Sequence, residues 1–503
     1  KVKLLLLSIV FFTGSIFIVR LIPKEFLPAQ DTSSFMVRLK TPDGSSLAFT
    51  DEATKKIEFY FSNRKEVKRY FVSVGGFGGG ASSESNSAMM FVTLLDPKER
   101  PLDQKLNRSL TQQELLDIYR QDLKKFKSAK VSIQDTSQGG FSASGRGFPV
   151  EFTLIGGNWQ TLVATAKRVM TEMTASGIFS DVDTDFKESV TEVQIFPNRE
   201  AAKQRGVSVQ EIGQTINALI GGLIVGKYSK DGHRNDIRLK MADASKNRLD
   251  DLKKIFVRNT RGELVNLLDV ATVKELPGVQ AINRRQRSRA VTIYAGISSG
   301  NSQGEALDKV REITRKHLPP GYSLIESGSS ETFKETFSSL IFALLLGVVI
   351  AYMILGAQFN SFIDPVTILV ALPFSFSGAF LGLWLQGQSL NMYSMIGLIL
   401  LMGIVKKNSI LLVDFTNQRR REGFLINDAL RDACPKRLRP ILMTTFSTVA
   451  GAIPLAFSLG PGSESLRPMA VAIIWGSLIS MVLTLVVVPC LYSLLGREKR
   501  MKN

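Results

Sequence analysis

Three consecutive polar side chains, Lys406, Lys407 and Asn408, interrupt the otherwise apolar stretch Met402–Phe415. Lys407 lies about 11 residues before Gln418, or ~16 Å along a helix, too deep for its ammonium to snorkel comfortably to a membrane boundary. A charge at that depth costs several kcal/mol unless a carboxylate or hydroxyl faces it, so the default reading of such a lysine is functional. Lys406 points ~100° away and faces another helix or a lipid defect. Asp414 lies nearer the end of the stretch and reads as a boundary residue. A lysine so placed needs an acid, but Asp364 stands at a helix start and Glu331 and Glu335 at the outer boundary. None sits at the depth of Lys407, so the counter-charge is expected from outside this chain.

Other chemistry is thinly represented. Gly221–Lys227 has the spacing of a phosphate loop, but Tyr228 stands where the magnesium-binding Ser or Thr belongs. Gly76-Phe77-Gly78-Gly79-Gly80-Ala81 satisfies a loose dinucleotide fingerprint, yet it runs into Ser- and Asn-rich sequence and reads as a flexible extracytoplasmic loop. Nucleophile elbows, paired carboxylate motifs and metal-ligand spacings are missing. The two cysteines, Cys434 and Cys490, lie near the C-terminus, and His233 and His317 are the only imidazoles. Zinc chemistry is excluded on numbers, leaving Lys, Arg, Asp, Glu and Thr to act.

The elements that must position Lys407 follow from hydropathy. The 503 residues are 44% hydrophobic and 21% charged, which excludes a wholly disordered chain, but the average hides segregation. Leu4–Val19 is an apolar run behind Lys1 and Lys3, read as an uncleaved anchor in preference to a signal peptide. Phe337–Leu355, Val366–Leu385, Met392–Phe415, Ile441–Leu459 and Met469–Leu495 are each long enough to cross a ~30 Å core. Pro365 and Pro440 are expected at helix starts, Pro373 and Pro489 as kinks. Six spans put both termini on one side. The net charge of +18 then finds its place, because Arg419, Arg420, Arg421, Arg431, Lys436, Arg437 and Arg439 of the Asn417–Arg439 loop, with the basic tail, mark that side as cytoplasmic. Nucleic-acid binding loses its support. The ~310-residue stretch from Phe26 to Glu335 lies outside. It alternates strand-like runs (Phe35–Leu39, Ala88–Leu95, Val150–Ile155, Glu192–Phe196, Ala290–Gly296) with helical ones (Glu52–Asn63, Gln112–Phe126, Trp159–Ala175, Ser302–His317). This predicts α+β modules of the split β-α-β type, with an inserted piece holding a strand pair near Asp236–Met241 and Asp251–Leu268. Gly222–Asp236 is too long and polar for a tight hairpin and reads as a protruding loop.

Gly403-Ile-Val-Lys-Lys-Asn-Ser-Ile-Leu-Leu-Val-Asp-Phe415, followed by Arg437-Leu-Arg-Pro-Ile-Leu-Met-Thr444, closely resembles the resistance-nodulation-division (RND) exporters. The likeness extends along the whole chain as the C-terminal half of such a pump, nearest the drug-exporting AcrB/MexB branch. It implies a seventh span at 1–22, a first porter subdomain at 23–157, a second at 158–204 and 280–332, a docking subdomain at 205–279 and five further spans at 333–503. It also implies a homotrimeric proton antiporter of the bacterial inner membrane, driven by the proton-motive force without a cofactor. Such a pump passes small amphiphilic substrates through a periplasmic adaptor to an outer-membrane channel. Lys407 matches the family's relay lysine, with Asn408 beside it, Thr444 its partner threonine and Arg437 an arginine at the cytoplasmic mouth. Phe77, Phe91, Val72, Val74, Gly76 and Gly78 fall where the family lines its drug pocket and gating loop. Gly79 stands where drug pumps usually carry a second gate aromatic, and Lys406 replaces a small residue. The paired aspartates belong to the N-terminal half, on the same or a separate polypeptide. Since the first residue is not methionine, the chain is expected to start inside a longer reading frame. Two alternatives are a heavy-metal exporter, whose three-methionine site is incomplete here because Met36 and Met89 or Met90 lie near two of its places and the Phe141 region occupies the third, and a non-transporting scaffold. No resident metal is expected.

Overall fold

The computed structural model describes residues 2–495 except 29, 43, 76–84, 104–105, 127, 138–146, 187–189, 243–251, 253, 279–280 and 459–462. The chain divides into two compact units, residues 187–281 and the remainder.

The larger unit opens with helix α1 (Val2–Val19) and continues with β1 (Ser34–Lys40), α2 (Leu47–Ser62), β2 (Val67–Val74), β3 (Ser87–Leu94), α3 (Gln112–Leu123) and β4 (Lys130–Asp135). These strands pair antiparallel in the order β2-β3-β1-β4, the arrangement of a β-α-β-β-α-β module. Strand alternation buries Phe35, Val37, Leu39, Met90 and Val92 under Ile57, Phe61, Leu116 and Tyr119 of the helices. Helix α3 begins in a reciprocal cap, Thr111 accepting from the Glu114 N–H while Glu114 accepts from the Thr111 N–H.

The second module repeats that order. It comprises β5 (Val150–Gly156), α4 (Trp159–Ala175) and β6 (Phe179–Thr184), resuming after the smaller unit. That unit holds β7 (Val190–Pro197), α5 (Arg199–Gln204), α6 (Val209–Ile216), β8 (Leu223–Lys230), β9 (His233–Leu239), β10 (Phe256–Arg258), β11 (Leu264–Asn266), α7 (Leu267–Val270) and β12 (Ala271–Gly278). The module then closes with β13 (Arg284–Arg285), β14 (Ser288–Ile297), α8 (Gln303–His317) and β15 (Ser323–Glu326). Its strands lie as β6-β14-β5-β15, the same permutation as in the first module, around Phe152, Leu154, Val169, Val291 and Ile293.

Two expectations for the smaller unit fail. Gly222–Asp236 is no loop, because β8 and β9 form a tight hairpin closed at Lys230 and His233. Asp231-Gly232 supplies the turn, with φ of 52° and 78°, and this pair is a type I′ signal whatever the polarity of its flanks. Asp236–Leu239 accordingly pairs backward with β8, while β10 and β11 pair with each other.

The remaining helices are α9 (Gly328–Phe359), α10 (Asp364–Leu369), α11 (Ala371–Leu385), α12 (Met392–Arg421), α13 (Ile426–Ala456) and α14 (Arg467–Leu495). Among the described residues, five helical stretches are long and apolar enough to cross a membrane, and Leu6–Val19 is a shorter one. Pro365 lies in the first turn of α10, and the expected disturbance at Pro373 is a break at Val370 between α10 and α11. The Asn417–Arg439 loop is corrected. α12 runs to Arg421 and α13 starts at Ile426, passing through Pro435 and Pro440 without a new start. Ile426, Ala429, Leu430 and Ala433 recur at helical spacing and are buried, and Ile426 and Leu430 share a core with Leu412, Val413 and Tyr492. That burial outweighs the two lost backbone hydrogen bonds.

Candidate functional site

Helix α12 carries the intramembrane polar group. Its N-terminus is fixed by Asn391, wholly buried, which exchanges side-chain bonds with Ser394 in a capping box. From there Leu398, Leu401, Val405, Asn408, Leu412 and Thr416 face the bundle, whereas Leu400, Gly403 and Lys407 are exposed on the opposite side. Lys407 therefore points away from the packed helices of this chain, and among the described residues no carboxylate pairs with it. Lys406 is half-buried.

Asn408, one residue and ~100° further round, is turned inward. Its Nδ2 donates to Thr445 Oγ1 at 3.4 Å, and its Oδ1 is buried without a hydrogen-bond partner. Thr444 is half-buried and donates to the Ile441 carbonyl at 3.1 Å. The structure thus joins α12 to α13 through Thr445, which sequence reasoning missed: a Thr-Thr doublet shows no preference until the helix phase set by Ile441 is known. Arg437 lies with its guanidinium 4.7 Å from the centre of the Phe415 ring, which Arg419 approaches at 5.3 Å, a cation–π cluster at the end of the span. A further network escaped the sequence. Asn417 donates to Asp364 at 3.2 Å, Tyr492 donates to Asn417, and Arg420 donates to Tyr492 at 3.1 Å, linking α10, α12 and α14.

The residues expected to bind substrate lie on the first module's sheet. Gly76, Phe77 and Gly78 fall outside the described residues, as does Phe141. Phe91 sits on the open face, away from the helices, paired with Phe71 on β2 and Met36 on β1. The Phe71 and Phe91 rings are tilted by 36° with centroids 6.4 Å apart. Val72 and Val74 point to the other face and pack on the module core, so the structure does not bring them together with Phe91. Phe71 takes that place. The alternation Phe71–Val72–Ser73–Val74 carried the signal, since one register position exchanges the faces. Met36 and Met89 lie on the Phe91 side of the sheet, Met36 buried and Met89 half-buried, whereas Met90 is in the core under the helices.

That face continues through Gln134 to a cavity of about 270 Å³ bordered by Glu25, Asp135, Phe148, Ser298 and Gln303. Arg38 lies 5.7 Å from the Phe148 ring centre. Burial pushes the Asp135 carboxyl above its ordinary range, against the hydrogen bonds from Ser137 and Gln113. Burial likewise raises Glu25, opposed by the Ser389 hydroxyl. The walls mix carboxyl, amide and hydroxyl groups with the apolar surface of Leu27, Ile133, Phe148 and Ile297.

Apolar helices long enough to cross a membrane, two like-ordered split β-α-β modules and an ammonium on one helix face together define a protein of the membrane-helix class. The family model for the AcrB/AcrD/AcrF family matches residues 1–496, and the chain belongs to that family, within the RND exporters its helix motifs resemble. The multidrug resistance protein MdtC of Klebsiella pneumoniae (strain 342) is 30% identical over 481 residues, 95% of this chain and 45% of the relative. MdtC of Salmonella schwarzengrund (strain CVM19633) is 29% identical over 484 residues, 95% and 46%. The chain spans about half the length of the curated relatives it matches. A heavy metal efflux pump solved by crystallography superposes with a TM-score of 0.86 at 22% identity, covering 98% of this chain and 50% of that one. At that identity the likeness shows the fold.

Proposed function

We propose that the chain forms the C-terminal half of a proton-driven efflux transporter that exports amphiphilic drugs or toxic compounds. The observation that carries this reading is Lys407, an ammonium midway along a spanning helix and turned to the uncovered side of the bundle. A buried cation needs a carboxylate, so the uncovered side is where a second half-bundle brings its acids. In this scheme α1 is a sixth span, both ends are cytoplasmic, and the β-rich modules are porter subdomains at 23–157, 158–204 and 280–332. The piece at 205–279 is the docking subdomain, working in a homotrimer with a periplasmic adaptor and an outer-membrane channel. Protonation of the facing acids releases Lys407 from its pair, and the lysine then repacks α12 against α13 through Asn408, with Thr444 and Thr445 following. Arg437 holds the cytoplasmic mouth. Phe91, with Phe71, offers aromatic area to the substrate, and Gly76, Phe77 and Gly78 are assigned to the gating loop. No cofactor is required. The multidrug names of the MdtC relatives support the substrate class.

The test is a drug susceptibility panel in a host lacking its own pumps. The assembled transporter is expected to confer resistance to amphiphiles, and Lys407→Ala to abolish it at unchanged protein abundance. Thr444→Ala is expected to weaken it less. Resistance that survives Lys407→Ala refutes the relay. Expressed alone in proteoliposomes under a proton gradient, the chain is expected to move nothing until the other half is supplied.

Soft-metal export is a second reading, favoured by the two thioethers of Met36, buried, and Met89, half-buried, on the Phe91 side of the sheet. Copper(I) and silver(I) added to the same panel separate the two, since only a metal exporter raises tolerance to them.

A further inference from the structure

The segment after α1 makes more contacts than a linker needs. Ile22 is 2% exposed and anchored in the helix bundle. The Pro23 carbonyl accepts from Leu390 N–H at 2.8 Å, Glu25 N–H donates to the Leu390 carbonyl at 3.3 Å, and Met392 N–H donates to the Phe26 carbonyl at 3.2 Å. Met392 is the first residue of α12, so these bonds grip the cap of the helix that carries Lys407.

The other side of the same segment holds the second module. Gly304 N–H donates to the Lys24 carbonyl at 2.8 Å, and Phe26 N–H donates to Gln303 Oε1 at 2.8 Å. Gln303, 4% exposed, donates from Nε2 to the Pro149 carbonyl at 2.7 Å, immediately before β5. The approach at α8 is close, since a Cβ on Gly304 would lie 3.1 Å from Lys24 Cβ.

Further along, the segment ties the first module to the turn before α14. Asp31 N–H donates to Glu464 Oε2 at 3.0 Å. The Asp31 carboxylate takes a two-pronged grip from Arg100 at 2.5 and 2.6 Å, and accepts from Gln112 N–H at the start of α3 at 3.0 Å. Burial pushes the Asp31 carboxyl up, but Arg100 and the backbone donors outweigh it and hold it below its usual range. One stretch of about ten residues is thus fastened to both extracytoplasmic turns of the bundle and to both modules.

We propose that residues 23–34 are the transmission strap between the relay helix and the two β-rich modules, with Gln303 and Glu464 as its positioning residues. This rests on the transport reading above. A shift of α12 at Met392 moves Phe26, and Phe26 moves Gln303 and with it the start of β5 and α8. The bonds at Pro23, Lys24, Glu25 and Phe26 lie on consecutive residues, so a displacement of the α12 cap reaches Gln303 and Gly304 through a short chain of hydrogen bonds. Glu464 gives α14 a second attachment, through Asp31, to α3.

The test uses the assembled transporter in proteoliposomes, with ethidium as the exported probe and a pH-sensitive dye inside. Gln303→Leu is expected to keep normal abundance and helix content, to lower ethidium export about tenfold, and to leave most of the proton flux through the relay, now independent of ethidium. Gln303→Glu, which still accepts from Phe26 N–H, is expected to recover much of the export. Glu464→Leu changes an exposed side chain, so it keeps the test alive should Gln303→Leu fail to fold; it is expected to uncouple in the same direction. The strap is refuted if both variants export as the wild type does, or if export and proton flux fall in equal proportion, as a merely structural role requires. A wild type that moves ethidium with no proton flux, or moves nothing, overturns the transport reading itself, and the strap falls with it.

Discussion

Phe71 and Phe91 face each other across β2 and β3, while Val72, one residue on, points into the module core. The two kinds of position make opposite predictions. Phe71→Ala and Phe91→Ala are each expected to narrow the exported spectrum. Their double-mutant cycle, read from apparent affinity for an aromatic dye, is expected to show a coupling of about 0.5–1.5 kcal/mol. Val72→Ala is expected to lower the melting temperature and leave the spectrum unchanged. A Val72→Ala variant with altered spectrum would mean that the helix side of the sheet contacts substrate.

Among the elements, α3 starts in a capping box, as α8 does at Ser302 and Glu305, and its cap is ionic through Arg108. The Arg108 guanidinium, then the Thr111 N–H and hydroxyl, hold Glu114 down to about 2, against burial, from the ordinary 4.5. A carboxylate with a depressed folded value stabilises above its unfolded value and loses that contribution as pH falls through the folded one. Hydrogen exchange in the first turn of α3 is therefore expected to accelerate, relative to other helices, between pH 4.5 and about 2. Glu114→Gln should show no such window. In the bundle, α11 and α14 meet at glycines. A Cβ on Gly378 would lie 2.8 Å from Ile479 Cβ and 2.8 Å from the Trp475 carbonyl, with backbone on one side and no room to yield. Gly378→Val is expected to cost on the order of 1–3 kcal/mol or more by separating the helices. Thermal unfolding in detergent reads this out, with Gly14→Ala, whose Cβ meets nothing within 4 Å, as the neutral control.

At the scale of the whole molecule, the β8–β9 hairpin stands out within the smaller unit. Nearly every residue along it is exposed, including Leu223, Ile224, Val225, Tyr228, Ile237 and Leu239. A lone two-stranded ribbon is marginal in water, and this apolar area is more than a free hairpin leaves uncovered. In the trimeric scheme it reaches a neighbouring protomer. Cysteine pairs near Ser229 and Arg234, with Cys434 and Cys490 replaced, are expected to cross-link between protomers. Failure of every pair to do so would remove the hairpin from the trimer contact.

The sequence by itself determined the membrane-length apolar helices and, in each module, both helices and two of the strands they pack on, because hydropathy, period and chain length are local properties that each segment carries alone. Pairing and phase are not local. Whether Phe71 or Val72 joins Phe91 depends on which face of β2 meets the helices, and whether Thr444 or Thr445 meets Asn408 depends on the rotation of α13 about its axis. The run from Asn417 to Arg439 shows the same limit from the other side: its charges and prolines favour a loop, but a buried face of Ile426, Ala429, Leu430 and Ala433 makes it mostly helix. The strap at 23–34 is the extreme case, since its partners lie as far as 433 residues away, and contacts at that separation are set only when the packed bundle and both sheets bring them together.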